Sequence, residues 1–168
     1  MPTASPGPLL LAAFGTLMTG QINPLTPAAR TRMRSLGPCL LDGLLYEIRG
    51  RSFRYPVLVP YATPEPPADA APVHGELFEI GATEAEAAFV LAETDRYEDC
   101  RMDAPARSTY LRLRRPVRFP DRPGSVEAWV YIYNRSVARA LPIPDGRWRG
   151  PDGPQRIDVT RGGEAAPS

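Results

Sequence analysis

Among the side chains of this 168-residue sequence that could move a proton, Glu98 is the best placed. It follows Tyr97 just past the expected end of a helix, among residues of mixed polarity, a setting that suits a general acid or base. The same position also suits an ordinary solvated loop carboxylate. The second candidate group is Phe14-Gly15-Thr16-Leu17, where a glycine follows a short apolar run. A glycine turn at a strand end lets successive backbone N–H groups converge on one point. Such a nest binds a carboxylate or phosphate without a cationic side chain; a plain strand-to-loop glycine would look the same. His74, the single histidine, has no serine or cysteine nucleophile signature beside it and reads as a strand-surface residue. Tyr110 and Arg112 stand two apart on an expected strand and share a face, where they either clamp a carboxylate or line a wet sheet surface. Tyr131 and Tyr133 share a face in the same way, which suits packing.

The chain also lacks whole classes of reagent. Every basic residue is arginine, so there is no Schiff-base lysine, no Walker-type phosphate lysine and no kinase-type lysine. One histidine rules out a multi-histidine metal site. Cys39 and Cys100 have neither metal-ligand spacing nor the pattern of a secreted disulfide framework, and read as two buried thiols. The 20 basic and 19 acidic residues leave a formal charge of +1, which predicts no strong attraction to nucleic acid or to an anionic membrane. The expected partner is a small molecule or a neutral protein. Leu9 to Phe14 is too short for a membrane span and is preceded by no positive charge, so the expected location is the cytoplasm.

These residues need elements to hold them. Leu9 to Ala13 reads as a buried strand entering a tight turn. Thr26-Pro27 offers an N-cap and a first-turn proline for a short helix through about Arg34. Cys39 to Ile48 and Tyr55 to Val59 read as strands, with Gly43 a possible bulge. Pro60 to Pro72 is a proline-rich surface loop or a lid, and Val73 to Ile80 is again a strand. Thr83 and Glu86 form a Thr-x-x-Glu capping box for a helix with Ala87, Val90, Leu91 and Thr94 on one face, ending near Asp95. Tyr110 to Leu113 and Val117 to Phe119 read as strand pieces around Arg114-Arg115-Pro116, and Val126 to Asn134 is the clearest strand. Residues 1–8 read as a loose lead-in and 151–168 as a flexible tail, flanking one domain over 9–150. The sum is an α+β domain, its sheet able to close into a small barrel.

In order and spacing, these blocks resemble the γ-glutamylcyclotransferase-like proteins, in particular their short AIG2-like branch. The opening family motif, Tyr-Gly-Ser/Thr-Leu followed by Gly and Asn, corresponds to Phe14-Gly15-Thr16-Leu17, Gly20 and Asn23. Next come Gly43-Leu44-Leu45-Tyr46, Tyr55-Pro56-Val57-Leu58-Val59, and Val73, Gly75, Glu76, Leu77 and Phe78. The family's Leu-Asp-x-Tyr-Glu-Gly appears as Thr94 to Asp99, its Tyr-x-Arg as Tyr110 and Arg112. Ala128 to Tyr131, then Gly146 and Trp148, complete the series.

The resemblance implies a small mixed β-barrel with flanking helices. It also implies intramolecular aminolysis, in which the γ-glutamyl group of an amide or amine closes to 5-oxoproline and the free amine departs. Glu98 would be the catalytic general acid/base. Phe14, Gly15, Thr16 and Leu17 would hold the γ-glutamyl group, with Tyr110 on the opposite wall. Such chemistry needs no metal and no cofactor, because the substrate's α-amino group is its own nucleophile. Two residues depart from the family pattern: Phe14 stands for tyrosine, and Asp99 for glycine. Asp99 would either raise the Glu98 pKa by like-charge repulsion or face solvent. These departures keep a second reading open, a non-catalytic binding module on the same fold; a hydrolase using His74 and Cys100 is a third.

Overall fold

The computed structural model describes residues 9–21 and 25–150. The expected lead-in, the expected tail and Asn23 lie outside them. Strand β1 (Leu10–Ala13) is buried at every position, which explains its unbroken apolar run: both of its faces are covered. Alternate residues join two different cores. Leu10 and Ala12 pack with Leu41, Leu77, Val117 and Val130, drawn from the other strands of the sheet. Leu11 and Ala13 pack with Phe78, Ile80, Val90 and Leu91, the last two from a helix.

The other strands are β2 (Met33–Leu41), β3 (Leu44–Arg49), β4 (Arg54–Val59), β5 (Val73–Ile80), β6 (Tyr110–Arg118), β7 (Ser125–Tyr133) and the short β8 (Leu141–Pro142). Five of them run β1-β5-β2-β6-β7 in a closed barrel, and β4-β3-β8 form a second, three-stranded sheet. Neighbours in the barrel are antiparallel except β1 and β7, which meet in parallel at Leu11 and Trp129 and close the ring. The α+β class and mixed strand directions therefore agree with the reading of the sequence.

Several local expectations change. Helix α1 (Pro27–Arg30) stops well short of Arg34, because Met33 already pairs with Ile80 in the sheet. Thr26 does cap it, its hydroxyl accepting from the Ala29 amide at 3.3 Å. Gly43 is not a bulge but the break between the two sheets. Its φ of +147° favours glycine, and a Cβ there would lie 2.7 Å from Leu58 Cδ1 and from the Val59 carbonyl. The bulge lies earlier in β2, between Ser35 and Gly37. Pro116 interrupts nothing: β6 is continuous, since β2 meets it only at Leu40 and Arg118 and leaves most of that edge without a ladder.

Helix α2 (Glu84–Tyr97) starts as its capping box dictates, with Thr83 Oγ1 accepting from the Glu86 amide at 3.2 Å. The Glu86 carboxylate in turn accepts from the Ala82 amide at 2.8 Å. Its buried face is Ala87, Val90, Leu91 and Thr94. It runs past Asp95 and makes Glu98 its C-cap, so Glu98 is fixed by helical backbone rather than carried on a loop. No helix among the described residues is long and apolar enough to cross a membrane.

Strands β1 and β5 approach closely at Gly75, where a Cβ would fall 2.4 Å from the Ala13 carbonyl oxygen. Backbone cannot give way as a side chain can. Gly75→Ala should therefore cost about 1–3 kcal/mol, the usual range for overpacking. A lowered urea midpoint with an unchanged slope would register it; an unchanged midpoint would refute it.

Candidate active site

At the end of β1 the chain turns through Phe14-Gly15-Thr16-Leu17, with the Met18 amide donating to the Gly15 carbonyl at 3.0 Å. Gly15 is required by crowding rather than by φ, for an added Cβ would stand 2.5 Å from Pro56 Cγ. Beyond the turn, Glu76 of β5 pins the chain. Its carboxylate accepts from the Thr19 amide and hydroxyl, each at 2.7 Å, and from the Ser35 hydroxyl at 2.5 Å. The amides of Gly15, Thr16 and Leu17 have no acceptor among the described residues. They are donors left over, at a place where Gly15 and Leu17 are buried.

The last turn of α2 arrives at the same spot. It ends in a Schellman motif, with the Cys100 amide donating to the Asp95 carbonyl at 2.8 Å and the Asp99 amide to the Arg96 carbonyl at 3.4 Å. Asp99 takes the left-handed conformation that this motif demands, at φ +49°. The Tyr97 hydroxyl lies 3.1 Å from Thr16 Oγ1, a direct link between helix end and turn. Between them is a cavity of about 230 Å³, lined by Phe14, Gly15, Thr16 and Leu17 on one side and by Glu98 and Tyr110 on others. All six candidate residues thus face one space. Tyr110 is buried, and its hydroxyl is 3.4 Å from the Pro56 carbonyl.

A family model for gamma-glutamyl cyclotransferase, AIG2-like, matches residues 11–150. The chain belongs to that family. Its fold is also similar to that of a mouse AIG2-like protein, at 21% identity and a TM-score of 0.50 over 77% of this chain and 80% of that one. The ytfP protein of Escherichia coli is similar at 25% identity and a TM-score of 0.50, over 84% and 96% of the two chains. No curated protein matches the sequence.

Within this AIG2-like chain, Glu98 has no side-chain hydrogen bond among the described residues. It is half-buried by accessible surface and lines the cavity. Burial pushes its carboxyl up to about 8. Asp99 is not the cause. Its carboxylate accepts from the Thr109 hydroxyl at 2.7 Å and from Arg101 Nε at 3.1 Å, and these two bonds hold it below the usual carboxylate range. Burial, and after it the Glu98 charge, drives the Tyr110 phenol strongly upward, so it stays a donor.

Arg112 does not join Tyr110 as a clamp. It is spent on Asp95, with Nε and a terminal nitrogen donating to the two carboxylate oxygens at 2.8 and 3.2 Å. His74 and Cys100 do not line the cavity. Burial and then the Arg147 guanidinium hold the His74 imidazole below its ordinary value. Burial raises both thiols, that of Cys39 to about 12 with Glu76 adding to it, and both cysteines are free. Reading the sequence for chemistry missed Glu76, whose role as a tether needs the β5–β2 register to be seen. It also missed Tyr55, Pro56 and Tyr131 as cavity walls. The Tyr-Pro pair at 55–56 was a signal, since proline inside a strand run marks a special position.

The raised pKa of Glu98 has a consequence for stability. An unfolded glutamate releases its proton near 4.5, the folded one near 8, so between those values the folded chain holds the extra proton. Its contribution is complete below about pH 4.5 and is lost as pH climbs through about 8. Relative to Glu98→Gln, the parent should therefore lose ground steadily over that window in urea midpoints taken at several pH values. A constant difference would contradict the burial of this carboxyl.

Proposed function

We propose that this chain cyclises the γ-glutamyl group of a γ-glutamyl amide or amine to 5-oxoproline and releases the free amine. The observation that carries this reading is the shared cavity. A carboxyl with a pKa of about 8 shares it with the turn whose amides at 15–17 lack acceptors among the described residues. That combination suits a substrate that needs one proton moved and one oxygen polarised, and brings its own nucleophile.

The reaction is an intramolecular aminolysis. The α-amino nitrogen attacks the γ-carbonyl carbon and a new C–N bond closes the five-membered ring. The old amide C–N bond then breaks, and the leaving nitrogen takes a proton. Glu98 in its carboxylate form accepts the proton from the attacking nitrogen and, once protonated, hands it to the departing amine. A free α-amino group titrates at about 7.7–8.0. A base near 8 is matched to it, so the transfer is close to thermoneutral and either direction is accessible.

The amides of Gly15, Thr16 and Leu17 would bind the α-carboxylate or the oxyanion that forms on the γ-carbonyl. Tyr110, a protonated phenol on another wall, would donate to the same substrate. At about 230 Å³ the cavity is smaller than the ~300–1,000 Å³ of pockets for drug-sized ligands. It suits a glutamyl-sized group, with the amine extending through the mouth. Holding that group folded so that nitrogen and carbonyl carbon meet supplies much of the rate enhancement. The cytoplasm, with small γ-glutamyl compounds as the partner and no nucleic acid or membrane, is the setting this reading assumes.

The test is release of 5-oxoproline from a panel of γ-glutamyl amines and dipeptides. Glu98→Gln should remain folded and lose about 10²-fold or more of kcat/KM, the contribution typical of an acid–base residue. Near-normal activity in that variant would remove Glu98 from the mechanism. The parent's kcat/KM should rise with pH as the carboxyl ionises, with a midpoint near 8. A profile already flat from well below that value would count against a carboxylate base in this cavity.

A further inference from the structure

The structure assigns Asp95 and Arg112 as positioning residues that hold Glu98 against the 15–17 turn. This inference rests on the cyclotransferase reading for the step it serves, but the geometry stands by itself. Glu98 has no side-chain hydrogen bond among the described residues, so nothing at the carboxyl fixes where it sits. Its location is inherited from its backbone, hence from the last turn of α2. That turn is tied to its surroundings at Thr94, Tyr97 and Asp99 by single contacts to Tyr131, Thr16 and Thr109, and most densely at Asp95, three residues before Glu98.

The tie is dense. Both Asp95 oxygens are taken by Arg112 of β6, in a pair whose side chains are only 11% and 15% exposed. The planar fork of arginine makes this a bidentate contact with a set orientation, which a single point charge would not give. Arg112 is held from its other face by the Trp129 ring, 4.5 Å from the guanidinium carbon to the ring centroid. The Tyr131 hydroxyl of β7 lies 2.7 Å from Asp95 Oδ1 and 2.7 Å from Thr94 Oγ1. The Asp95 carbonyl meanwhile closes the Schellman motif by accepting from Cys100. Two barrel strands therefore grip one residue of the helix end, and Tyr110, which faces Glu98 across the cavity, lies two residues from Arg112 on the same strand.

The other titratable groups facing Glu98 are Tyr55, Tyr97, Tyr110 and Tyr131, with Asp99 turned toward Thr109 and Arg101. None supplies a positive charge to hold the carboxyl. If the Asp95–Arg112 tie is what keeps the helix end seated, its loss lets water reach Glu98 and lets the carboxyl drift from the amides.

The test removes the pair without changing net charge, by Asp95→Asn together with Arg112→Gln. The Glu98 titration midpoint, followed by carbon-13 NMR of the side-chain carboxyl, should fall by about one unit or more toward the ordinary glutamate value. With a substrate that the parent turns over, kcat should drop about tenfold or more. On a Glu98→Gln background the same double change should cost no further activity, because residues that act through one another are non-additive. A folded double variant with the parent's Glu98 midpoint overturns the inference, as does a further tenfold loss on the Glu98→Gln background. Should the double variant not fold, Tyr131→Phe removes a single hydroxyl from the same grip and should shift the midpoint in the same direction by less; no shift there overturns the inference. If the parent releases no 5-oxoproline, the reaction reading falls alone, because the NMR midpoint still decides the positioning role.

Discussion

A carboxyl group that keeps no hydrogen-bond partner among the described residues and lines a cavity is expensive to place, and most of the architecture around Glu98 follows from placing it. Desolvation favours its neutral form and sets its pKa near 8. A neighbouring arginine would have satisfied the charge, but it would also have driven the pKa down and removed the group from the range where it exchanges protons with an amine. The site is therefore one in which cations are kept occupied elsewhere. Arg112 is taken by Asp95 and Arg101 by Asp99. In a chain whose basic residues are all arginines that never titrate, this separation is what leaves a carboxylic acid to do acid–base work.

The complementary half of the site is made of backbone. Two close approaches deliver it, β1 against β5 at Gly75 and the 14–17 turn against Pro56 at Gly15, each too tight for a Cβ. Glu76 then takes up the chain beyond the turn through the Thr19 amide and hydroxyl, and the amides of residues 15–17 keep no acceptor among the described residues. Removing either glycine would push apart strands or loops that converge on the cavity, so its shape and the packing of the barrel are one problem. The Phe14 ring fits that logic: it is buried in the barrel core, where an aromatic face serves packing and a hydroxyl would need its own partner.

Much of this was legible in the chain, and the misses share a cause. The apolar run into Gly15, the capping box at Thr83 and the strand at 73–80 are local signals, and each element lies where those signals put it. The sequence pattern ends α2 near Asp95 whereas the helix runs to Tyr97, because the feature that ends it is a non-glycine residue at positive φ. Such an end carries no sequence mark of the kind glycine gives. Strand periodicity pairs Arg112 with Tyr110, which is correct about the face and silent about Asp95 seventeen residues earlier. Glu76 as a loop tether, and Tyr55, Pro56 and Tyr131 as walls, depend on strand order in a barrel. Local pattern does not contain that information.

Asp99 shows how a departure from a family pattern can be absorbed. Glycine suits this position because the Schellman motif needs a left-handed residue, and a side chain there costs on the order of 1–2 kcal/mol. Aspartate is among the residues that tolerate this conformation when their short side chain finds a partner, and here it finds two, the Thr109 hydroxyl and Arg101. Those bonds also turn its charge toward the β6 entry and away from Glu98, whose raised pKa is set by burial alone. The substitution thus trades backbone freedom for a cross-link between the end of α2 and the start of β6. It tightens the same junction that Asp95 and Arg112 hold from the other side, and it leaves the proton chemistry of Glu98 to the cavity.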